Sequence, residues 1–361
     1  MAGNFSLKDN LTVPGIFQQK NIQSLDGLRA IAIALVLVWH IQFALNCPPY
    51  IYNLCKYFEF GNSGVQLFFV ISGFLITGLL LKEQAEAGII QVKSFFMKRF
   101  LKIIPSYVIY LLTIVILSFF TITTLDKKNF LTAFLFISDF TGSKNWLVGH
   151  YWTLAVEIQF YFCLPVMVIF LPRKYFLVAA IVLLYDLFYF VLRLYPILFI
   201  FRGLFLSLPP LIFGSMLSLG LYKNWFKRIY TILMHPVFAF SLILSLVIFF
   251  PRFYKPLRFL KIPYDYMISC LLMTSFLYYA IHCNKGNIVY LLLNNRIIVT
   301  IGALSYSIYV WQQLFFAPAS AFNVYPTWAV FPLNIVLMTA TALLSYNFVE
   351  KPFLRLKAKL K

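Results

Sequence analysis

The sequence predicts an all-α integral membrane protein of about ten transmembrane helices, with both termini in the cytoplasm. Three observations carry that reading. Residues of the set Ala, Val, Ile, Leu, Met, Phe, Trp, Tyr and Cys make up 62% of the 361-residue chain, and charged residues only 11%. Soluble domains run at roughly 45–50% and about 25%. Mean hydropathy is +0.85, with 41 Phe and 23 Tyr, so too little polar surface exists to coat a globule. The apolar residues also fall in runs close to the roughly 20 needed to cross about 30 Å of hydrocarbon.

Ten such runs follow one another at 28–46, 63–81, 103–122, 150–171, 175–192, 203–221, 232–250, 264–282, 297–316 and 328–348. The fifth holds Asp186, and Pro209 and Pro210 interrupt the sixth. Residues 130–140 are apolar but too short to span, and read as an interfacial helix. Residues 1–21 lack a cleavable-signal pattern, so the first run is expected to remain as a span. No 20–50-residue repeat is visible. The expectation is one membrane domain over 1–361, with no soluble catalytic domain attached.

The basic residues set the orientation. Lys and Arg number 30 against 11 Asp and Glu, a net charge of +19. In a soluble domain this would indicate nucleic acid, but here the cations sit between apolar runs, where they orient helices and meet anionic head groups. Nucleic acid is therefore not an expected partner. Ten spans put 20 of the 30 cations on the side that holds both termini, which assigns that side to the cytoplasm. The run Arg252, Lys255, Arg258 and Lys261 falls on the other side and opposes the trend. The five cysteines show no zinc-binding spacing. Cys47 and Cys55 share an outer loop, where an oxidising periplasm would permit a disulfide.

Ionisable side chains at membrane depth are candidates for function, because lipid tolerates them only at a cavity or beside a partner. In span 1, Arg29 and His40 are eleven residues apart and lie on one helical face within about 20°. Asp26 shares that face and can pair with Arg29. His40 reads as a catalytic base or as a packing histidine bonded to a backbone carbonyl; Arg29 reads equally as a positive-inside anchor. In span 4, His150, Glu157 and Tyr161 share one stripe. If span 1 begins near residue 28, helix rise places Glu157 level with His40, about 10–12 Å below the outer end of each helix. A carboxylate there would support the imidazole as a general base. Ser72 and Gly73 sit mid-membrane in span 2, where small residues admit close helix packing. Arg99 and Lys102, at the cytoplasmic end of span 3, read either as phosphate holders or as topology anchors. Ser305-Tyr306-Ser307 reads as packing polarity.

Taken together, these segments resemble the acyltransferase-3 family of multi-pass membrane proteins. Ser24-Leu25-Asp26-Gly27-Leu28-Arg29, with His40 after ten intervening residues, resembles its Arg-x10-His signature. The run Phe68–Thr77 is similar to its second-span signature. His150-Tyr-Trp152-Thr-Leu-Ala-Val-Glu157-Ile-Gln159-Phe-Tyr161 resembles its WSLxxExxFY segment. Ser305–Tyr309 and Glu350-Lys351-Pro352-Phe353 resemble its C-terminal features. The sequence departs from the pattern at Lys102, where the family's basic pair is usually Arg-x2-Arg, and at Gln312, where relatives often carry His.

The resemblance implies transfer of an acetyl or other acyl group from acetyl-CoA, a co-substrate rather than a tightly bound cofactor. The acceptor would be a carbohydrate or glycolipid hydroxyl of a cell-surface polysaccharide such as lipopolysaccharide O-antigen, and the location a bacterial inner membrane. His40 and Glu157 are then the expected catalytic pair. Arg29, Arg99 and Lys102 hold the donor, while Asp26, Ser72, His150, Trp152 and Tyr161 bind substrate or support the site. No metal is expected. A transporter or flippase of an anionic glycolipid is the competing class, since it too needs intramembrane charge and a cationic mouth.

Overall fold

Helices make up nearly all of the computed structural model, which describes residues 13–19, 21–58, 60–141, 145–170, 184, 202–248 and 264–359. The expected span 175–192, with Asp186, lies outside them apart from residue 184. Eight helices frame the site: α1 (Gln23–His40), α2 (Gly61–Ala87), α3 (Val92–Phe119), α4 (Tyr151–Phe170), α5 (Arg202–Tyr222), α6 (Tyr264–His282), α7 (Arg296–Phe315) and α8 (Leu333–Lys359). Among the described residues, five helices are long and apolar enough to cross a membrane, and six if a pair bent by 81° between Leu233 and Pro236 counts as one span. That bend falls inside the expected span 232–250, because Pro236 cannot continue the helix.

Burial separates a core from a lipid-facing rim. In α2, 72% of the most apolar window is buried against other helices, whereas α8 buries only 28% of its own. Phe119, Val336, Leu344 and Phe348 point outward. This is the inverse of a soluble surface and suits a hydrocarbon solvent.

Helix ends differ from the sequence reading in ways that matter for chemistry. α1 starts at Gln23, not near residue 28, and His40 is its last α-helical residue before a 3₁₀ turn at Ile41–Phe43. α3 begins at Val92, so Arg99 and Lys102 stand on helix rather than at its mouth. α2 runs on to Ala87 and stops at Gly88, whose φ of 75° suits a residue without Cβ. α5 continues through Pro209 and Pro210, which a helix embedded among neighbours tolerates. The apolar segment 130–140 divides into Lys127–Phe134 and Ser138–Thr141 rather than forming one interfacial helix. Cys47 and Cys55 are free thiols, so the possible disulfide is not formed.

The central contact is α2 against α5. A Cβ on Gly73 would lie 2.0 Å from the Leu211 carbonyl oxygen, and one on Gly214 would lie 2.0 Å from that of Val70. Reciprocal glycines thus let the two backbones touch. Gly73 serves packing, as expected, while its neighbour Ser72 faces another side of α2. α7 packs on α1 and α8 on α7. A π-helical turn at Ser345–Glu350 interrupts α8 and leaves the Glu350 carboxylate buried, accepting a hydrogen bond from Ser307 Oγ at 2.8 Å.

Candidate active site

Two cavities lie end to end inside the bundle and share Val65 and Tyr309 as a wall. The inner one, about 110 Å³, is lined by Arg29, Arg99 and Lys102 toward one end and by Glu157, Tyr161, Ser72 and Thr153 along its length. Along α2 it extends from Ile76 to Val65, about 16 Å of helix rise. It is long and thin.

Three helices build its midpoint. Glu157 and Tyr161 are one turn apart on α4, and Ser72 reaches across from α2. Glu157 Oε1 accepts hydrogen bonds from both Ser72 Oγ and Tyr161 OH, and those hydroxyl oxygens are 3.0 Å apart. The Arg99 guanidinium lies 5.9 Å from the Tyr161 ring centroid and 5.6 Å from that of Phe95. Such placement over two ring faces stabilises a cation, but Arg99 is only 8% exposed and its Nε has no hydrogen-bond partner. Among the described residues, the carboxylates within 4.0 Å of a cation form only two pairs, Asp26–Arg29 at 2.8 Å and Glu86–Lys82 at 3.8 Å. Arg99 and Lys102 therefore have no salt-bridge partner among the described residues. Glu350 and Lys357, both from α8, lie within the field of this group. A half-buried cluster with more positive than negative charge is set up for a polyanion.

The outer cavity, about 340 Å³, holds both candidate histidines, and its volume falls in the range of ligand pockets. His40 Nδ1 donates to the Val36 carbonyl at 2.8 Å. That bond fixes the tautomer and leaves Nε2 as the lone-pair nitrogen. The packing bond weighed from sequence is thus present, and it is also what a base requires. The His40 ring meets Trp146 edge-on, with centroids 5.8 Å apart. His150 is 4% exposed and sits among Tyr110, Tyr151 and Tyr309. Trp152 lines this cavity as well.

The structure brings Arg29, Arg99, Lys102, Ser72, Glu157 and Tyr161 into one cavity, and His40, His150 and Trp152 into the other. Asp26 lies below the first, bonded to Arg29. It does not set His40 level with Glu157. Because α1 starts five residues earlier than expected, His40 reaches the outer end and is level with His150, which directly precedes α4. Glu157 is seven residues further along α4, about 10 Å deeper. Among the lining residues, Trp146 and Gln313 carried no motif signal, and Thr153 and Tyr309 stood within motifs without an assigned role. Ser305 and Tyr306 line the inner cavity, beyond their expected packing role. Tyr309 OH donates to the His150 carbonyl at 3.0 Å and lies 2.7 Å from Thr153 Oγ1, which holds the shared wall in place. Gln312, fully buried, bonds its neighbour Gln313 rather than facing either cavity.

Comparison with known proteins bears on the chemistry. Over 389 residues the chain is 26% identical to a Staphylococcus aureus (strain COL) protein whose name proposes O-acetyltransferase activity, covering 93% of this chain and 58% of that one. It is 25% identical to O-acetyltransferase OatA of Staphylococcus aureus (strain NCTC 8325 / PS 47), covering 96% of this chain and 59% of the other. Over 41% of this chain and 24% of the relative, it is 29% identical to Peptidoglycan O-acetyltransferase OatA of Listeria monocytogenes. The chain thus spans less than two thirds of the length of these relatives. No solved structure matches it. The family model described as the acyltransferase domain matches residues 22–347, a stretch that holds both cavities, and on that match the chain belongs to the acyltransferase-3 family.

Proposed function

We propose that this multi-pass membrane protein transfers an acetyl group from acetyl-CoA to a carbohydrate hydroxyl, and that the two cavities divide the substrates between them. The observation that carries this reading is the shared Val65–Tyr309 wall, between a thin cavity lined by Arg29, Arg99 and Lys102 and a wider one holding His40. Arg99 and Lys102, with Arg29, bind the phosphates of the coenzyme, and the pantetheine arm occupies the inner cavity with its thioester at the wall. Lys102 acts as a point charge, without the forked geometry of Arg. The acceptor enters the outer cavity. His40 Nε2 takes the proton of the acceptor hydroxyl as its oxygen attacks the thioester carbonyl. The tetrahedral intermediate collapses, the carbon–sulfur bond breaks, and the imidazolium returns the proton to the coenzyme thiolate. His150 and Trp152 shape the acceptor side, while Glu157, held by Ser72 and Tyr161, fixes the middle of the donor channel.

The remaining assignments belong to the same proposal. The chain is one membrane domain of ten spans, with both termini and the cationic mouth in the cytoplasm of a bacterial inner membrane. The acceptor is a cell-surface glycan. The name of the Listeria relative favours peptidoglycan over the lipopolysaccharide O-antigen expected from sequence. The test is to supply purified protein with acetyl-CoA labelled in the acetyl group and with isolated surface glycans. Label should appear in an alkali-labile ester on the glycan. Transport of a glycolipid without consumption of acetyl-CoA would overturn the proposal.

A further inference from the structure

The lining of the outer cavity specifies the kind of sugar it takes. Among the described residues it presents no Lys, Arg, Asp or Glu. It presents three indoles, Trp39, Trp146 and Trp152, and the side-chain amide of Asn62, while the Gln313 amide is held by the Trp146 carbonyl and Gln312, and Asn145 Oδ1 accepts from the Leu147 N–H. An indole face carries partial negative charge and receives the C–H face of a pyranose. The Asn62 amide supplies a donor and an acceptor together, as sugar hydroxyls require. A carboxylate entering the same space would lose its hydration with no cation among the described lining residues to replace it. The donor cavity makes the opposite choice, with Arg29, Arg99 and Lys102 in its wall.

Trp146 is built in rather than left at the membrane interface. Its Nε1 donates to the Gln313 carbonyl at 2.9 Å, and Gln313 Nε2 donates back to the Trp146 carbonyl at 2.8 Å. Phe43 packs at 4.8 Å between centroids and His40 at 5.8 Å. This reciprocal clamp fixes the indole on α7, with the general base at its edge. An indole serving only as an interfacial anchor needs no such clamp.

We infer that the outer cavity is a subsite for an uncharged pyranose, stacked on Trp146 beside His40, and that it rejects sugars bearing a carboxylate at the bound ring. The inference rests on the outer cavity being the acceptor side. Its test reads saccharide binding directly, with no donor present. The full chain in nanodiscs is titrated with N-acetylchitotriose, maltotriose, trigalacturonate and N-acetylneuraminic acid, and binding is followed by saturation-transfer NMR. At least one neutral trisaccharide should bind ten-fold or more tightly than either acidic sugar. Trp146→Ala should weaken that binding by at least ten-fold, Trp146→Phe by less, and Asn62→Ala, at an exposed position that burdens folding little, by several-fold. Tighter binding of an acidic sugar, absence of binding across the panel, or affinity unchanged in Trp146→Ala and Asn62→Ala would each overturn the subsite. Trp146-dependent binding of a neutral sugar by a protein that never consumes acetyl-CoA would overturn the transferase reading and leave the subsite standing.

Discussion

Ser72 and Glu157, eighty-five positions apart in sequence, are joined across α2 and α4 by a hydrogen bond from the serine hydroxyl to Glu157 Oε1. Tyr161 donates to the same oxygen from one turn further along α4. The carboxylate is therefore oriented from two sides, at the midpoint of the channel proposed to hold the coenzyme arm.

Removing one of those donors should loosen the carboxylate without displacing the helices. A hydrogen bond to a charged group is worth about 1.5–3 kcal/mol. Ser72→Ala is expected to reduce turnover by roughly ten-fold or more while the protein inserts normally, and Ser72→Thr, which keeps the hydroxyl, should recover part of that loss. Steady-state kinetics on the two variants check this, and equal activity in both would detach Ser72 from the channel.

His40 and Glu157 occupy different cavities, about 10 Å apart in depth by helix rise. Their substitutions should therefore combine as separate effects. His40→Ala and Glu157→Gln are expected to add within about 0.5 kcal/mol in a double-mutant cycle on kcat/KM. A double variant no worse than the more damaged single one would show instead that the two act as a unit.

Arg99, Lys102 and Lys357 form a positive group with few counter-charges. Neutralising Arg99 and Lys102 together, as Arg99→Gln with Lys102→Gln, should weaken acetyl-CoA binding by more than ten-fold and flatten its salt dependence. Lys357→Gln, ten residues beyond the end of the family match, should give a smaller loss of the same kind. Calorimetry over a range of salt concentrations reads both. Unchanged affinity with scrambled topology would make the cations orientation anchors.

The α2–α5 contact leaves no space for a side chain. Gly73→Ala puts a methyl group 2.0 Å from a backbone oxygen that cannot swing away. It should destabilise the protein by about 1–3 kcal/mol, seen as a lower midpoint of thermal unfolding in detergent. A wild-type midpoint would mean that the helices part more easily than their packing implies.

The membrane class and the helical candidates were legible in the sequence, because hydropathy over twenty residues is a local property. The grouping of Arg29, Arg99 and Lys102 came from the family resemblance, since periodicity within one helix fixes no contact between two. Depth was less legible. The segment Gln23–Gly27 belongs to α1, although Leu25 is its one large apolar side chain, and those five residues carry His40 outward and away from Glu157. Ser72 and Gly73 show the same limit on a smaller scale, because composition could not say which neighbour packs and which faces a cavity. Trp146 and Gln313, and the place of Tyr309 in the shared wall, became visible only through contacts between segments distant in sequence, which no local pattern encodes. The π turn that buries Glu350 beside Ser307 is of the same kind.

The central claim is that His40 Nε2, set free by the Val36 bond, deprotonates the acceptor in the outer cavity while the coenzyme is held in the inner one. Measuring acetyl transfer and acetyl-CoA affinity together in His40→Ala tests this most directly. The account predicts a loss of about 10²–10⁴-fold in turnover with the affinity for acetyl-CoA unchanged. Transfer at the wild-type rate, or a turnover loss that follows lost coenzyme binding, would contradict it.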